Sequence, residues 1–210
     1  MKIAVIGASA GIGQETVKRA LERNHEVIAL ARSAVQHPEN PFLRSINGDA
    51  LNKNDLTRAI EGADAVIVTL GTRKNMGQTT LFSDFAKLLL EVQKESKSKA
   101  THLIVTGFGT GESANYVGWF VKLFLKYFLK DVYADKAKME ELISSSDLNW
   151  LIVRPGRLLD EPRTEKYRIE TSLYKGIDIG AINRSDVADY LVKQAEQPSD
   201  ILKFAAISQK

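Results

Sequence analysis

Short apolar runs alternate with longer amphipathic stretches along the whole of this 210-residue sequence. The runs predict strands at residues 2–6, 26–30, 43–46, 65–70, 102–106, 150–153 and 203–207. Helical spacing predicts helices at 13–23, 53–61 (N-capped by Asn52), 80–94, 116–130, 133–145 and 184–197. Strands that are apolar throughout and alternate with helices are typical of a parallel sheet covered on both faces. The pattern therefore predicts an α/β protein with about seven strands.

The first predicted strand runs directly into the glycine-rich turn Gly7-Ala8-Ser9-Ala10-Gly11-Ile12-Gly13, which opens the first helix. Glycines let a pyrophosphate approach the backbone, and a helix N-terminus offers it N–H groups and a favourable dipole. The strand before the turn and the helix after it are the context that a dinucleotide site requires. The turn predicts a Rossmann-type doubly wound sheet that binds a nicotinamide dinucleotide. The alternative is a tight strand-to-helix turn without a ligand.

The end of the second strand distinguishes NAD from NADP, because NAD binders place a carboxylate there and NADP binders place a cation. Here Arg32 and Ser33 follow the strand, and no acid occurs before Glu39. The planar guanidinium of Arg32 is suited to pairing with a 2′-phosphate. These residues predict NADP(H); the alternative is a solvated arginine.

Polar residues also follow the third and fourth strands. Asp49 is expected to accept from the adenine amino group or to cap the next helix, and the residues alone leave both open. Gly71 is expected to let the cofactor pass over the edge of the sheet. Thr72 or Arg73 is expected to reach ribose or phosphate.

A family resemblance extends along nearly the whole chain. It rests on the glycine turn, ARS at 31–33, GDAL at 48–51, LGTRKNMGQTTLFSDF at 70–85, DKAKME at 135–140, NWLIVRPG at 149–156 and INRSDVA at 182–188. On these motifs the chain resembles the atypical short-chain dehydrogenase/reductases, in particular the NAD(P)H-binding proteins similar to biliverdin-IXβ reductase (flavin reductase).

The resemblance implies a strand order of 3-2-1-4-5-6 followed by a seventh strand, and one bound NADP(H). The glycine turn would hold the pyrophosphate and Arg32 the 2′-phosphate, and Pro155 to Leu158 would lie near the nicotinamide. The complete set of expected cofactor-binding residues is Gly7, Ser9, Ala10, Gly11, Ile12, Gly13, Arg32, Ser33, Asp49, Ala50, Leu51, Leu70, Gly71, Thr72, Arg73, Thr106, Lys136, Pro155, Gly156, Arg157 and Leu158.

Two departures from the family bear on catalysis. The better-known dehydrogenases use Tyr-x-x-x-Lys, whereas here Lys136 follows Tyr133 by only three residues. Biliverdin-type reductases carry a serine where this chain has Gly107, so Thr106 offers the hydroxyl there. The catalytic candidates are therefore Lys136, which could anchor the cofactor or lower the pKa of a donor, and Thr106. The alternative for Lys136 is a surface lysine.

The predicted helix at 116–130 is unusually apolar. Lys122, Lys126 and Lys130 recur every four residues and share one stripe, while aromatic and leucine side chains cover most of the rest. Such a helix is expected to be buried on a wide face. The sequence leaves three alternatives for what contacts these apolar side chains: the helix's own domain, a second subunit or flat substrate, or an anionic membrane surface.

Composition narrows the remaining classes. The absence of cysteine excludes disulfides, thiolate metal sites and a cysteine nucleophile, and the three histidines lack metal-ligand spacing, so no metal is expected. A net charge of +3 is too balanced to favour nucleic acid. No stretch approaches the ~20 apolar residues that span a bilayer, and the N-terminus lacks a signal-peptide pattern. We expect a cytoplasmic monomer or homodimer and do not expect a membrane partner.

These observations favour one NAD(P)-binding domain over residues 1–210, with loops near 107–115 and 157–182 covering a small-molecule substrate. The charged stretch 160–175 within them is expected to be either a mobile flap or a solvated loop. The favoured function is NADPH-dependent hydride transfer to a flat conjugated acceptor, such as a flavin or linear tetrapyrrole. That chemistry belongs to the cofactor and needs little acid–base machinery. The alternatives are a non-catalytic NADP(H) sensor and an isomerase or reductase of a sugar-like or carbonyl substrate.

Overall fold

The computed structural model describes residues 1–33, 35, 39–72 and 77–210. The central sheet contains β1 (Lys2–Ile6), β2 (Glu26–Ala31), β3 (Leu43–Asn47), β4 (Ala65–Val68), β5 (Thr101–Val105), β6 (Asn149–Pro155), β8 (Tyr167–Glu170) and β10 (Lys203–Gln209). Their order is β3-β2-β1-β4-β5-β6-β10-β8, and only β8 is antiparallel to its neighbour. Two short strands, β7 (Arg157–Leu159) and β9 (Ala181–Asn183), pair in parallel beside it.

In the described part of the chain, six α-helices and one 3-10 helix accompany the strands. They are α1 (Gly11–Glu22), α2 (Lys53–Ile60), α3 (Leu81–Ser96), α4 (Trp119–Phe128), α5 (Lys130–Ser144) and α6 (Arg184–Glu196), with the 3-10 helix at Gly111–Asn115. The N-cap expected at α2 is confirmed, because the side chain of Asn52 accepts from the Asp55 N–H at 3.1 Å.

Each strand supplies two layers of core because successive side chains point to opposite faces of the sheet. In β1, Ile3 and Val5 pack with the apolar sides of α1 and α6. Ala4 and Ile6, the alternate residues, pack with α2, α3 and α5. The continuous apolar runs of the sequence are therefore strands buried on both faces.

The predicted α/β class and the strand order 3-2-1-4-5-6 are confirmed, although the sheet has eight strands rather than about seven. The additional strand is β8, which lies in the segment 160–175 expected to be irregular. It pairs with β10 from Tyr167 opposite Gln209 to Glu170 opposite Ala206. Just before it, the backbone N–H groups of Thr164 and Glu165 donate to the buried carboxylate of Asp186. This stretch is therefore tied to the sheet and to α6.

The two segments expected to cover the substrate meet each other. Phe108, which follows β5, and Ile177, which precedes β9, form a small apolar cluster with Ala206 of β10. Tyr116, Val117, Leu173 and Ile179 pack against it. The cluster lies beyond the carboxyl end of β5, and its role in covering a substrate stays a prediction.

The expectation that the apolar helix is buried on a wide face is wrong. The helix begins at Trp119 rather than near residue 116, and α5 starts two residues after it ends. Leu125 and the residue that follows the helix, Leu129, are half-buried. Most of the other large apolar side chains of α4 are exposed. Own-domain packing therefore does not explain its composition. Within the described residues, no helix is both long and apolar enough to cross a bilayer.

Candidate functional site: a cleft at the carboxyl ends of the strands

A cleft of about 370 Å³ opens at the carboxyl ends of the parallel strands. β1 lies between β2 and β4. The strands β2 and β3 therefore lie on one side of β1, and the strands of this sheet from β4 onward lie on its other side. Open α/β sheets bind ligands in the crevice at such a switch point. The ends of β2, β5 and β6 line the cleft with the turn after β1 and the segment after β4.

Backbone geometry suits the glycine turn to a phosphate group. Gly7 has φ +91°, and its N–H donates to the Leu30 carbonyl at 2.9 Å. A Cβ on Gly13 would overlap the Gly7 carbonyl oxygen, so α1 starts where only glycine fits. In the described part of the chain, the N–H groups from Ser9 to Gly13 have no acceptor. The first turn of α1 also holds no acidic residue, so its positive end suits an anion.

The end of the cleft beside β2 carries a cation. Arg32 is exposed and lines the cleft, and no carboxylate among the described residues pairs with it. Asp49, which follows β3, also lines the cleft and is exposed. The alternative role of Asp49 as a helix cap is wrong, because one of its oxygens accepts from the Leu51 N–H at 3.0 Å and Asn52 caps α2. The Asp49 carboxylate thus stays at the cleft.

Lys136 reaches the opposite end of the cleft from α5. Its ammonium donates to the Thr106 carbonyl at 2.7 Å and lies over the rings of Phe82 and Tyr133, at 5.2 and 5.7 Å. Burial lowers the pKa of Lys136 from 10.5 to about 8, and the nearby Glu140 opposes this effect. The alternative of a solvated surface lysine is wrong, because the side chain is held inside the cleft.

The hydroxyl of Thr106 points away from the cleft into a buried polar network. It donates to Glu140 at 2.6 Å. Arg154, which is 1% exposed, binds Glu140 through Nε and Nη2 at 3.0 and 2.7 Å. The same guanidinium binds both oxygens of Glu112 at 2.7 and 2.9 Å. Phe204 stacks on its outer face at 4.2 Å. The Thr106 hydroxyl hydrogen is therefore engaged with Glu140, while the Thr106 carbonyl holds Lys136.

Tyr133 does not line the cleft. Its hydroxyl lies behind Gly107, 3.1 Å from where a Cβ on that residue would stand. Burial raises the pKa of the Tyr133 phenol. A side chain on residue 107 would crowd this hydroxyl, so glycine at 107 and the position of Tyr133 are linked.

Most of the predicted cofactor residues come together in this one cleft. Those that line it are Gly7, Ser9, Ala10, Gly11, Ile12, Arg32, Asp49, Ala50, Leu70, Gly71, Thr106, Lys136, Pro155 and Leu158. Those that do not are Gly13, Ser33, Leu51, Thr72, Gly156 and Arg157. Gly13 and Gly156 instead permit close backbone packing, since a Cβ on Gly156 would overlap the Gly180 carbonyl. Arg73 lies outside the described residues.

Residue-level reasoning missed Arg184, which lines the cleft from the first turn of α6. Its Nε lies 3.5 Å from where a Cβ on Gly11 would stand, so a second cation borders the phosphate turn. Arg184 forms an ion pair with the exposed Asp160 at 2.7 Å. The motif INRSDVA contains this arginine, but nothing in its spacing relates it to a turn more than 170 residues earlier. The other lining residues outside the predicted set are Leu30, Ala31, Gly48, Thr69, Leu81 and Val105.

Known proteins resemble this chain over its full length. It is 26% identical to YhfK of Bacillus subtilis (strain 168), described as an uncharacterized sugar epimerase, over 94% of this chain and 89% of that protein. The solved structure of SP1627 from Streptococcus pneumoniae TIGR4, described as a candidate NADH-flavin reductase, is 26% identical with a TM-score of 0.79 and complete coverage of both chains. ChuY, an anaerobilin reductase from Escherichia coli O157:H7, has the same fold at 21% identity, with a TM-score of 0.80 and coverage of 100% and 97%.

The sequence also matches the family described as NAD(P)H-binding, over residues 7–198. This match covers the glycine turn, the cleft and every helix from α1 to α6. The predicted resemblance to the atypical short-chain dehydrogenase/reductases, and the predicted enzyme class, are confirmed. This chain belongs to the NAD(P)H-binding family.

Proposed function

We propose that this protein is an NADPH-dependent reductase that delivers hydride to a flat conjugated acceptor, such as a flavin or a linear tetrapyrrole. The observation that carries the proposal is the cleft itself. Its lining combines the glycine turn and the two arginines Arg32 and Arg184 with Lys136, Pro155 and Leu158.

The residues present fit an extended dinucleotide. The N–H groups of the glycine turn would hold the pyrophosphate, and Arg32 would pair with the 2′-phosphate. Asp49 would face the adenine. Thr106 and Lys136 would border the nicotinamide, which supplies the hydride when the cofactor is bound. Pro155 and Leu158 would give that end of the cleft an apolar wall that excludes water.

Lys136 is proposed to act by position. Its ammonium is fixed on the Thr106 carbonyl, so its charge stays at the reacting end of the cleft whatever substrate enters. The hydroxyl of Thr106 is engaged with Glu140, and that of Tyr133 lies behind Gly107. Neither is aimed at the cleft as a proton donor. A reaction in which solvent supplies the proton is compatible with this arrangement.

One specific finding favours a second function. YhfK, at 26% identity, is described as a sugar epimerase, although an uncharacterized one. An epimerase would use the cofactor transiently and return it in its original redox state. Net consumption of NADPH therefore separates the two functions. A non-catalytic sensor would bind NADPH and consume none with any acceptor.

The test is NADPH oxidation by the purified protein with flavins, biliverdin, quinones, aldehydes and nucleotide sugars. Sustained oxidation with a flavin or tetrapyrrole is the expected result. Oxidation with aldehydes alone would overturn the proposed substrate class. Conversion of a nucleotide sugar without net loss of NADPH would replace the reductase with an epimerase.

The preference for NADPH over NADH is tested separately, because SP1627 is described as an NADH-flavin reductase. Arg32→Asp should weaken NADPH binding by roughly 10- to 100-fold, the range expected when charged hydrogen bonds are lost, and should affect NADH far less. Arg44→Asp, an exposed change on the neighbouring β3, is the matched control. Equal affinity of the unmutated protein for NADH and NADPH would refute the preference.

A further inference from the structure

Glu140 carries a buried carboxylate to which the proposed cofactor site gives no role. It lies on α5, is 3% exposed, and follows Lys136 by four residues, so the two side chains share one face of the helix. Lys136 lines the cleft, whereas Glu140 lies behind it and borders a separate groove beside Arg154. The carboxylate is therefore placed to act on the cleft through Lys136 rather than by touching a ligand there.

Hydrogen bonds connect Glu140 to Lys136 through two different groups of Thr106. The Thr106 hydroxyl donates to Glu140 Oε1 at 2.6 Å, and the Thr106 carbonyl accepts from Lys136 Nζ at 2.7 Å. The Thr106 N–H donates to the Val153 carbonyl of β6 at 2.9 Å. Because all three polar groups of Thr106 are engaged, its carbonyl stays aimed at the ammonium of Lys136.

A net negative charge accompanies these bonds. Glu140 and Glu112 both bind the guanidinium of Arg154, so two carboxylates face one cation. Burial raises the pKa of Glu140, while its bonds from Arg154 and Thr106 oppose that effect by favouring the ionised form. The charge of Glu140 in turn raises the pKa of Lys136, against the larger lowering effect of burial.

We propose that Glu140 is a positioning residue of the cleft, which fixes Thr106 and keeps the Lys136 ammonium in place and charged beside the nicotinamide. This inference rests on the proposed placement of the cofactor and not on the identity of the acceptor. Lys136 would border the cofactor, whereas Glu140 acts only through Thr106 and Lys136. Such a contribution is effective because hydrogen bonds and charges interact more strongly inside a protein than in water.

Other charged groups around Lys136 do not supply the same support. Asp135, its neighbour on α5, accepts from the first two N–H groups of α3 at 2.8 and 3.3 Å. Tyr133 is a neutral phenol whose pKa is raised by burial. Arg32 and Arg184 line the same cleft and are cations, which disfavour a further positive charge. Among the described residues, Glu140 is thus the carboxylate that favours the ammonium form.

The first experiment follows the protonation of Lys136 in the cofactor-free protein. Trace acetylation with acetic anhydride between about pH 6 and 10, read for each lysine by mass spectrometry, reports the pH at which that amine loses its proton. In the unmutated protein the midpoint for Lys136 should lie at about 8. In Glu140→Gln this midpoint should move to lower pH, while the profile of exposed Lys138 on the same helix stays unchanged.

Two other glutamates provide matched controls with the same change in charge. Glu112→Gln acts on Arg154 but not on Thr106, so the midpoint for Lys136 should move less than in Glu140→Gln. Glu141→Gln removes an exposed charge from the next position of α5 and should not move it. Equal shifts in all three variants, or no shift in Glu140→Gln, would overturn the proposal. A rise toward 10.5 in Glu140→Gln would also overturn it, because Glu140 would then maintain the burial of Lys136 rather than its charge.

Variants of Thr106 test the hydrogen-bonded connection even where Glu140→Gln fails to fold. Thr106→Val removes the hydroxyl at nearly the same shape, and Thr106→Ser retains it. The affinity for NADPH, measured by calorimetry, should fall about fivefold in Thr106→Val, the effect of one typical hydrogen bond, and should be kept in Thr106→Ser. Unchanged affinity in Thr106→Val, or an equal loss in both variants, would overturn the connection. Failure of every acceptor in the oxidation assay would refute the proposed reductase without altering either of these readouts.

Discussion

Gly13 and Gly71 border the same proposed cofactor, and the structure predicts opposite consequences of adding one methyl group to each. At Gly13 the new Cβ would overlap the Gly7 carbonyl oxygen and lie 2.5 Å from Thr69 Oγ1. At Gly71 it would meet no protein atom within 4 Å. Gly13→Ala is therefore expected to act on folding, and Gly71→Ala on the cofactor alone.

The cost at Gly13 follows from what can move. The Thr69 side chain can rotate, but the Gly7 carbonyl cannot shift freely because the Gly7 N–H is bonded to the Leu30 carbonyl. Overpacking of this kind costs about 1–3 kcal/mol, offset in part by the better helix propensity of alanine. For a chain of this length, a loss of about 1–3 kcal/mol corresponds to a fall in Tm of roughly 2 to 12 °C. Gly71→Ala should stay within ~0.5 kcal/mol of the unmutated protein.

Thermal unfolding and NADPH titration on both variants form the assay. Gly13→Ala should lower the Tm and weaken NADPH binding, because the phosphate turn is displaced with the start of α1. Gly71→Ala should keep its Tm and lose roughly tenfold in NADPH affinity, the effect of about 1.4 kcal/mol. An unchanged Tm in Gly13→Ala would refute the packing argument. Normal NADPH affinity in Gly71→Ala would show that the cofactor does not pass over this residue.

Two further predictions concern the reacting end of the cleft. The pKa of Lys136 is about 8 in the folded protein against 10.5 ordinarily, so the unfolded chain binds more protons between those values and the contribution of Lys136 to stability rises with pH there. The test is denaturant unfolding of the unmutated protein and of Lys136→Met at pH 7 and at pH 10. The difference between their free energies of unfolding should change by on the order of 2 kcal/mol between the two pH values. A difference that is the same at both pH values would contradict the buried ammonium. In steady-state kinetics with the acceptor found above, Tyr133→Phe should keep most of the reductase activity, whereas a fall of ~10²-fold or more in kcat would identify a tyrosine acid.

Local patterns were sufficient for much of the fold. The apolar runs that indicate strands and the spacing that indicates helices are both carried by consecutive residues. The strands from β1 to β6 and the helices α1, α2, α3 and α6 could therefore be predicted within a few residues. The glycine turn was equally accessible, because its strand, turn and helix are contiguous. The carboxyl ends of parallel strands lie at the same edge of a sheet. Once the strands are known to be parallel, the residues that follow them can be predicted to meet at the cleft.

The missed elements depend on distant partners. β7, β8 and β9 are three or four residues long and carry no strong apolar pattern. They exist because other segments provide an edge, as β10 does for β8. Arg184 reaches the phosphate turn only because α6 packs beside α1. For α4 the apolar composition predicts burial, but composition cannot identify what covers a surface.

The buried network around Arg154 could not be predicted for the same reason, yet it shapes the site. Glu112, Glu140 and Arg154 come from three separate segments. Glu140 and Arg154 are buried, and each alone would be an unfavourable buried charge, whereas Glu112 binds the guanidinium from the exposed side. Together they hold the Thr106 hydroxyl, which leaves the Thr106 carbonyl to hold Lys136. The protein thus uses its buried charges to fix a cation and a backbone carbonyl rather than to prepare an acid. That arrangement suits hydride chemistry, in which the cofactor supplies the reactivity and the chain supplies the position.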